Sequence, residues 1–537
     1  MLRLTHLKLA LDHPQSDLET AILKKLGIPP KDLLGYTIFK RSYDARRKND
    51  IKLIYTLHVK VRGEKDILRR KHGDNTIQPA PDTAYKFVAQ APDGFAQRPL
   101  IIGSGPCGLF AGLLLAQMGF APILLERGKP VRERTADTFG FWNQGELHPE
   151  SNVQFGEGGA GTFSDGKLHT QIKDKAHLGR KVLTELVAAG APEEILYISK
   201  PHIGTLKLVR IIEKMRNTIQ SLGGEFLFQS RVDDLLIEAG QVRGVTLADG
   251  ETLRSDHVIL AIGHSARDTF RMLAQRGVQI EAKPFSIGLR IEHPQTMIDA
   301  CRFGENAGHP ILGAADYKLV HHSRNGRTVY SFCMCPGGTV LAAASEPGTV
   351  VTNGMSQYSR NAGNANSALV VEVFPTDYPE NPLAGIDFQH KWEKRAFELG
   401  GGTYDAPAQL VSDFLAGRPS TALGSVQPSY KPGIHLTDLS TSLPEYVITA
   451  LREALPVFAQ HIPGFAMADA VLTGVETRTS SPIRILRGTD FQSVNLPGLY
   501  PAGEGSGYAG GILSSAVDGI KAAEAVALSI VKAAQPQ

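Results

Sequence analysis

The 537-residue chain contains only four cysteines, Cys107, Cys301, Cys333 and Cys335. They are too few and too irregularly spaced for a disulfide framework or a four-ligand zinc site, so reduced thiols and no metal are expected. No apolar run is long enough to span a membrane. The opening Met1-Leu2-Arg3-Leu4-Thr5-His6-Leu7-Lys8 is broken by polar residues before a signal peptide could form, making a cytoplasmic location the default expectation. Fixed-period repeats and low-complexity tracts are missing as well. Excess charge of either sign is small, at a net +3, yet unevenly spread: residues 1–99 hold 19 Lys+Arg against 11 Asp+Glu, and the remainder is acidic.

Against these absences stand three glycine clusters. Pro99-Leu100-Ile101-Ile102-Gly103-Ser104-Gly105-Pro106-Cys107-Gly108 runs from an apolar strand through a tight turn into an apolar helix, the pattern that seats a dinucleotide pyrophosphate on a helix N-terminus. Gly103 allows the turn, Gly105 lets the backbone approach the phosphates, and Gly108 permits close packing of helix on strand. The next strand ends in Glu126-Arg127, 23 residues after Gly103, where a carboxylate can accept hydrogen bonds from ribose hydroxyls and disfavours a 2′-phosphate. This suits FAD or NAD rather than NADP.

Near the other end, Leu499-Tyr500-Pro501-Ala502-Gly503-Glu504 reads as a strand ending in Gly-Glu, followed by Gly510-Gly511-Ile512 at a helix start. FAD enzymes often complete their pocket this way, with Glu504 on the ribityl chain and the positive helix end facing the negative charge of reduced flavin. The third cluster, Phe155 to Lys167, offers the exposed amides of Gly159, Ala160 and Gly161 with Thr162, Ser164 and Lys167 as polar contacts. Its plainer reading is an Ω-like surface loop.

These motifs, together with Ile259 to Phe270 and Tyr330 to Gly338, resemble a family of uncharacterised FAD-dependent dehydrogenases within the broader glutathione-reductase-like class, over nearly the whole chain. The resemblance implies an α/β fold: a Rossmann-like FAD-binding domain, an inserted α+β substrate domain and a small N-terminal βαββ unit. It also implies non-covalent FAD, Val232 as an adenine-side backbone contact, Ala261, Ile262 and Gly263 beside the cofactor, and roles for the glycines, Glu126 and Glu504. The chain departs from glutathione reductase in lacking both a second nucleotide motif and a C-x-x-x-x-C redox pair.

The expected boundaries are a basic βαββ unit at 1–78, a linker at 79–98, the FAD-binding domain at 99–280 and 466–537, and the insertion at 281–465. In the first unit Leu2, Leu4, Leu7 and Leu9 make an imperfect strand, Ser16-Asp17-Leu18-Glu19 a capping box, and Ile51 to Val61 an alternating strand. Asp249-Gly250 marks a hairpin, and Ser286 to Glu292 and Thr328 to Met334 are strands of the insertion.

Catalytic candidates are His264, Arg478 and Arg484; the arginines are equally readable as part of a solvated, salt-bridged strand, and a lone histidine is more often only a hydrogen-bonded structural residue. Cys333 and Cys335 share one face of a strand and are expected to be packing residues. The function expected is an FAD-dependent oxidoreductase acting on a small molecule, with NAD(P)H as a transient reductant. An alternative is a flavin-containing RNA-interacting protein that uses Lys40, Arg41, Arg46, Arg47, Lys48, Arg69, Arg70 and Lys71 to meet phosphates. The oligomeric state is left open.

Overall fold

The computed structural model describes residues 1–534, so the last three residues of the expected C-terminal segment lie outside the described residues. At the N-terminus the order is strand Leu2–Ala10, helix Gln15–Leu26, strands Leu33–Asp44 and Lys52–Val61, helix Glu64–Arg70 and a short strand Ile77–Pro79. The antiparallel sheet places the third strand between the first two and the fourth outside the first, the split βαβ arrangement of ferredoxin-like units. The expected βαββ core is thus extended by one helix and one strand.

The imperfect period of the first strand has a local cause. Its register shifts between Leu4 and Leu7, and His6 takes a φ of 57°, so a bulge resets the alternation. The expected capping box does not form: the helix starts at Gln15 behind Pro14, with no side-chain cap, because proline itself fixes the entry. Several of the basic residues are neutralised locally, Arg46 by Asp44 and Arg69 by Asp66.

Residues 80–98 form no helix or strand but are docked rather than free. The Ala91 amide donates to the Met118 carbonyl, the Tyr85 hydroxyl donates to Glu524, and Phe95 packs edge-on against Phe120.

The central sheet has five parallel strands in the order Leu499–Pro501, Val258–Leu260, Leu100–Ile102, Ile123–Leu125 and Glu225–Leu227. Such a sheet is buried on both faces, which is why its strands are short apolar runs without alternation. Helices Pro106–Gln117 and Ile512–Ala534 pack against each other on one face. Their crossing needs glycine, because a side chain at Gly519 would overlap the carbonyl of Cys107. A three-stranded meander, Val232–Glu238, Gln241–Leu247 and Thr252–Arg254, turns at the expected Asp249-Gly250.

The insertion is built on a seven-stranded sheet in the order Val320–His322, Thr328–Cys335, Asn364–Val373, Phe285–Pro294, Val471–Glu476, Ala406–Leu410 and Ile434–Leu436. The expected boundary at 465 therefore moves. Strand Val471–Glu476 lies inside this sheet, antiparallel to Phe285–Pro294, and the chain leaves the insertion only through the two-stranded neck of Ile280–Ala282 with Ile483–Ile485. All six residues of Val471–Glu476 are buried, so no polar face distinguished it from a strand of the parallel sheet.

Candidate functional site

A cavity of about 840 Å³ opens where the central sheet meets the insertion. One wall is the first glycine turn. Gly103 has a φ of 98°, and a β-carbon there would lie 2.5 Å from the Ala261 carbonyl, so the turn presses directly on the neighbouring strand end. A side chain at Gly108 would overlap the Gly103 carbonyl. At Gly105 a β-carbon would meet the Gly159 α-carbon at 3.7 Å, an ordinary van der Waals contact. Pro106 occupies the first helical position, where its missing N–H costs nothing.

Glu126 sits at the end of the next strand, only 4% exposed. Its Oε2 accepts from the Ser104 amide at 3.0 Å and the Ser104 hydroxyl at 2.6 Å. Its Oε1 accepts from the amides of Gly128 at 2.9 Å and Gly156 at 3.0 Å. The carboxylate therefore staples three loops together with all its lone pairs engaged. A ribose hydroxyl reaches it only by displacing the Ser104 hydroxyl, the one donor of the four that rotates freely. Arg127 lies over the Phe155 ring and is forked between Glu150 and Asp268.

The Phe155–Lys167 cluster is no surface loop. Its amide at Gly158 donates to the Ser104 carbonyl, and its turn Ala160–Phe163 packs beside Pro106. The fully buried guanidinium of Arg134 donates to the carbonyls of Asn152, Val153, Glu157 and Gly159, satisfying acceptors that a glycine-rich segment leaves bare. Gly159, Ala160, Gly161 and Lys167 line the cavity, whereas the buried hydroxyl of Thr162 faces Gly158 and Arg134, which corrects its expected role as a polar contact. The Lys167 ammonium is buried without a hydrogen-bond partner among the described residues and lies 3.4 Å from Asp165.

Val232, Ala261, Ile262 and Gly263 form the adjoining edge of the cavity, and Glu504, Gly510, Gly511 and Ile512 close it from the C-terminal segment. No protein atom lies within 4 Å of where β-carbons on Gly263, Gly510 or Gly511 would stand. Gly503 is placed differently from expectation. It packs on Cys107 below the cavity, its amide donating to Asp518, whose carboxylate also holds Arg487 at 2.7 and 2.9 Å. Arg134, Arg487 and Asp518 thus shape the site and were missed by motif reading, because nothing in the local sequence names their partners.

The catalytic candidates separate. His264 lines the cavity with Nδ1 3.4 Å from Glu504, and its Nε2 is buried without a partner among the described residues. Arg478 also lines it but is bound to Glu393 and to the hydroxyls of Ser265 and Ser345, so it is not free to grip a substrate. Arg484 lies outside, in the neck, beside Glu281 and over the Tyr508 ring. Glu393 is shared between Arg478 and Arg267. Burial pushes its carboxyl upward, but the two guanidinium groups outweigh this and hold it far below the usual carboxylate range. Glu346, His390 and Glu393 gather closely enough to suggest a metal, yet both carboxylates already pair with Arg267.

The far end of the cavity belongs to the insertion and its surroundings: Tyr317, Lys318, Tyr330, Phe332, Cys333 and Met334. Two helix N-termini and four open glycine positions therefore face one cavity that continues beneath a second domain. FAD fits this donor set: the amides of Gly105 and Cys107 for a pyrophosphate, and amides at Gly511–Leu513 for an anionic ring edge.

A family model agrees with this class. Residues 284–479 match the family "FAD-dependent protein, C-terminal domain-like", and residues 1–60 match a domain of unknown function. A protein of Clostridium beijerinckii described as uncharacterized is 48% identical over 525 residues, 97% of this chain and 98% of its own, and the chain belongs to the same family. A phytoene desaturase (neurosporene-forming) of Cereibacter sphaeroides is 29% identical over 113 residues, 20% of this chain and 22% of that one. Among solved structures, a flavin-dependent brominase matches with a TM-score of 0.35 and 14% identity, covering 82% of this chain and 80% of that one. A geranylgeranyl bacteriochlorophyll reductase-like protein of Thermoplasma acidophilum matches at 0.36 and 14%, covering 81% and 79%.

Proposed function

We propose that the chain is an FAD-dependent oxidoreductase of glutathione-reductase-like type, holding FAD non-covalently and acting on a small molecule beneath the insertion. The observation that carries this reading is the convergence of Gly105, Gly263, Gly510 and Gly511, all without crowding, on the two helix N-termini. When bound, FAD supplies hydride exchange at its N5 atom. The chain's own groups do the rest. Amides at the start of helix Pro106–Gln117 hold the pyrophosphate, and those at the start of Ile512–Ala534 stabilise negative charge on the reduced ring. Glu504 binds the ribityl chain and, with His264 beside it, offers a proton-holding pair at the cavity wall.

Arg478 acts through position, neutralising Glu393 beneath the wall and fixing the Ser265 hydroxyl. NAD(P)H enters the substrate end transiently as reductant, since the chain has no second glycine turn of the first type. The pairing of Arg46 and Arg69 with neighbouring carboxylates weakens the case for phosphate contacts by the N-terminal unit, and the RNA reading is not carried further. The test is anaerobic mixing of the purified protein with NADH or NADPH while following the flavin absorbance. Bleaching by either supports the reading, and a protein with no bound flavin contradicts it.

A further inference from the structure

The strand Thr328–Cys335 does not stay regular to its end. Its pairing with Asn364–Val373 slips by one residue between Phe332 and Cys335, and Cys333 takes a φ of 45°, in the left-handed region that non-glycine residues rarely enter. A strained residue held in place by its surroundings points to a use for its side chain. Here the side chain is a thiol at the wall of the cavity.

Its neighbours fit a reactive sulfur. The Cys335 thiol donates to the Cys333 carbonyl at 3.2 Å, and Cys335 itself is buried. Arg290, fully buried and forked onto Glu476, also donates to the Cys333 carbonyl at 3.4 Å. The Lys167 ammonium, 3.4 Å from the Asp165 carboxylate and without a hydrogen-bond partner among the described residues, stands on the same wall. The adjacent Cys335 thiol, followed by Lys167 and Arg290, draws the Cys333 thiol well below its ordinary range, while burial and Glu476 oppose this. The Cys335 thiol is pushed up by its partner and by burial, so it keeps the proton. One sulfur is thus poised as nucleophile and the other as proton holder.

We propose that Cys333 and Cys335 are a redox-active dithiol at the substrate end of the cavity, with Cys333 attacking and Cys335 resolving. The co-reactant is a low-molecular-weight disulfide. The Cys333 thiolate attacks one of its sulfurs, the S–S bond of the small molecule breaks, and the departing thiolate takes a proton from solvent. Cys335, losing its proton, then attacks the Cys333 sulfur in the mixed disulfide and releases the second small thiol. Two protein thiols are oxidised to one disulfide, and the small disulfide is reduced to two thiols.

The test uses the full-length protein in a Cys301→Ser background, since Cys301 is a further partly exposed thiol. Bis(2-hydroxyethyl) disulfide is added under native conditions without electron donor, and peptides are mapped by mass without reduction. The expected product is an internal disulfide, read as loss of two hydrogens from the peptide that holds both residues. In Cys335→Ser the mixed disulfide should accumulate on Cys333, and in Cys333→Ser the reaction at Cys335 should fall at least tenfold. Both thiols remaining unreacted in the folded wild-type protein but reacting after denaturation would overturn the proposal, as would undiminished reaction of Cys335 in the Cys333→Ser variant. Because the exchange requires no flavin, its failure leaves the FAD reading intact.

Discussion

Four donors converge on the Glu126 carboxylate, so this one side chain carries the architecture of three loops. Glu126→Ala leaves three buried amides without their acceptor, and unsatisfied groups of this kind cost about 1–3 kcal/mol each. The expected loss is about 3 kcal/mol or more in chemical denaturation, and a loss under about 1 kcal/mol would contradict the assignment. The role proposed for Glu504 is different. If it holds the ribityl chain as proposed, Glu504→Ala should weaken FAD binding about ten- to a hundred-fold, from loss of a charge-assisted hydrogen bond of roughly 1.5–3 kcal/mol, as read by fluorescence titration of the apoprotein.

Beneath the cavity, the carboxyls of Glu393 and Glu346 are both lowered despite burial, Glu393 by Arg267 and Arg478, and Glu346 by its hydrogen bond to His390 and then by the same two arginines. A carboxyl whose folded pKa is depressed stabilises the fold above its unfolded value and loses that contribution as pH falls through the folded one. For Glu346 the window runs from the ordinary carboxyl value of 4.5 down to about 2, and Glu393 extends it lower. Glu393→Ala, which removes the carboxylate of the buried Arg478 and one of the two that hold Arg267, should cost about 3–5 kcal/mol at neutral pH and flatten the acid limb of a stability-against-pH curve. An unchanged acid limb would sink this account.

Among the elements, the two helices that meet under the cofactor cavity depend on the absence of one side chain. Gly519→Ala drives a methyl group into the Cys107 carbonyl and should destabilise the protein by about 1–3 kcal/mol in thermal unfolding, with weakened FAD retention. Retained stability would show that the helices separate without cost. This crossing was not legible in the sequence, because the glycine has no turn or motif around it and its partner lies some 400 residues away. The first glycine turn was legible, since each of its glycines answers a local demand of turn, approach or packing. The insertion's end was not: a central strand buried on both faces carries no alternation, so Val471–Glu476 looked like part of the parallel sheet. The irregularity at Cys333 was not legible either, as regular strand periodicity hides a bulge.

At the scale of the whole molecule, the central sheet and the inserted sheet are joined by the narrow neck of Ile280–Ala282 and Ile483–Ile485, and the cavity lies where the two meet. No helix among the described residues is long and apolar enough to cross a membrane. The account holds together only if the cavity takes FAD at the glycine end and leaves the insertion end for substrate. The direct measurement is the flavin released on denaturation, identified and quantified by chromatography, for the wild-type chain and for Gly105→Val, whose side chain adds bulk at the helix N-terminus that lines the cavity. About one FAD per wild-type chain and almost none in the folded variant is the predicted result, whereas equal FAD content in both would contradict it.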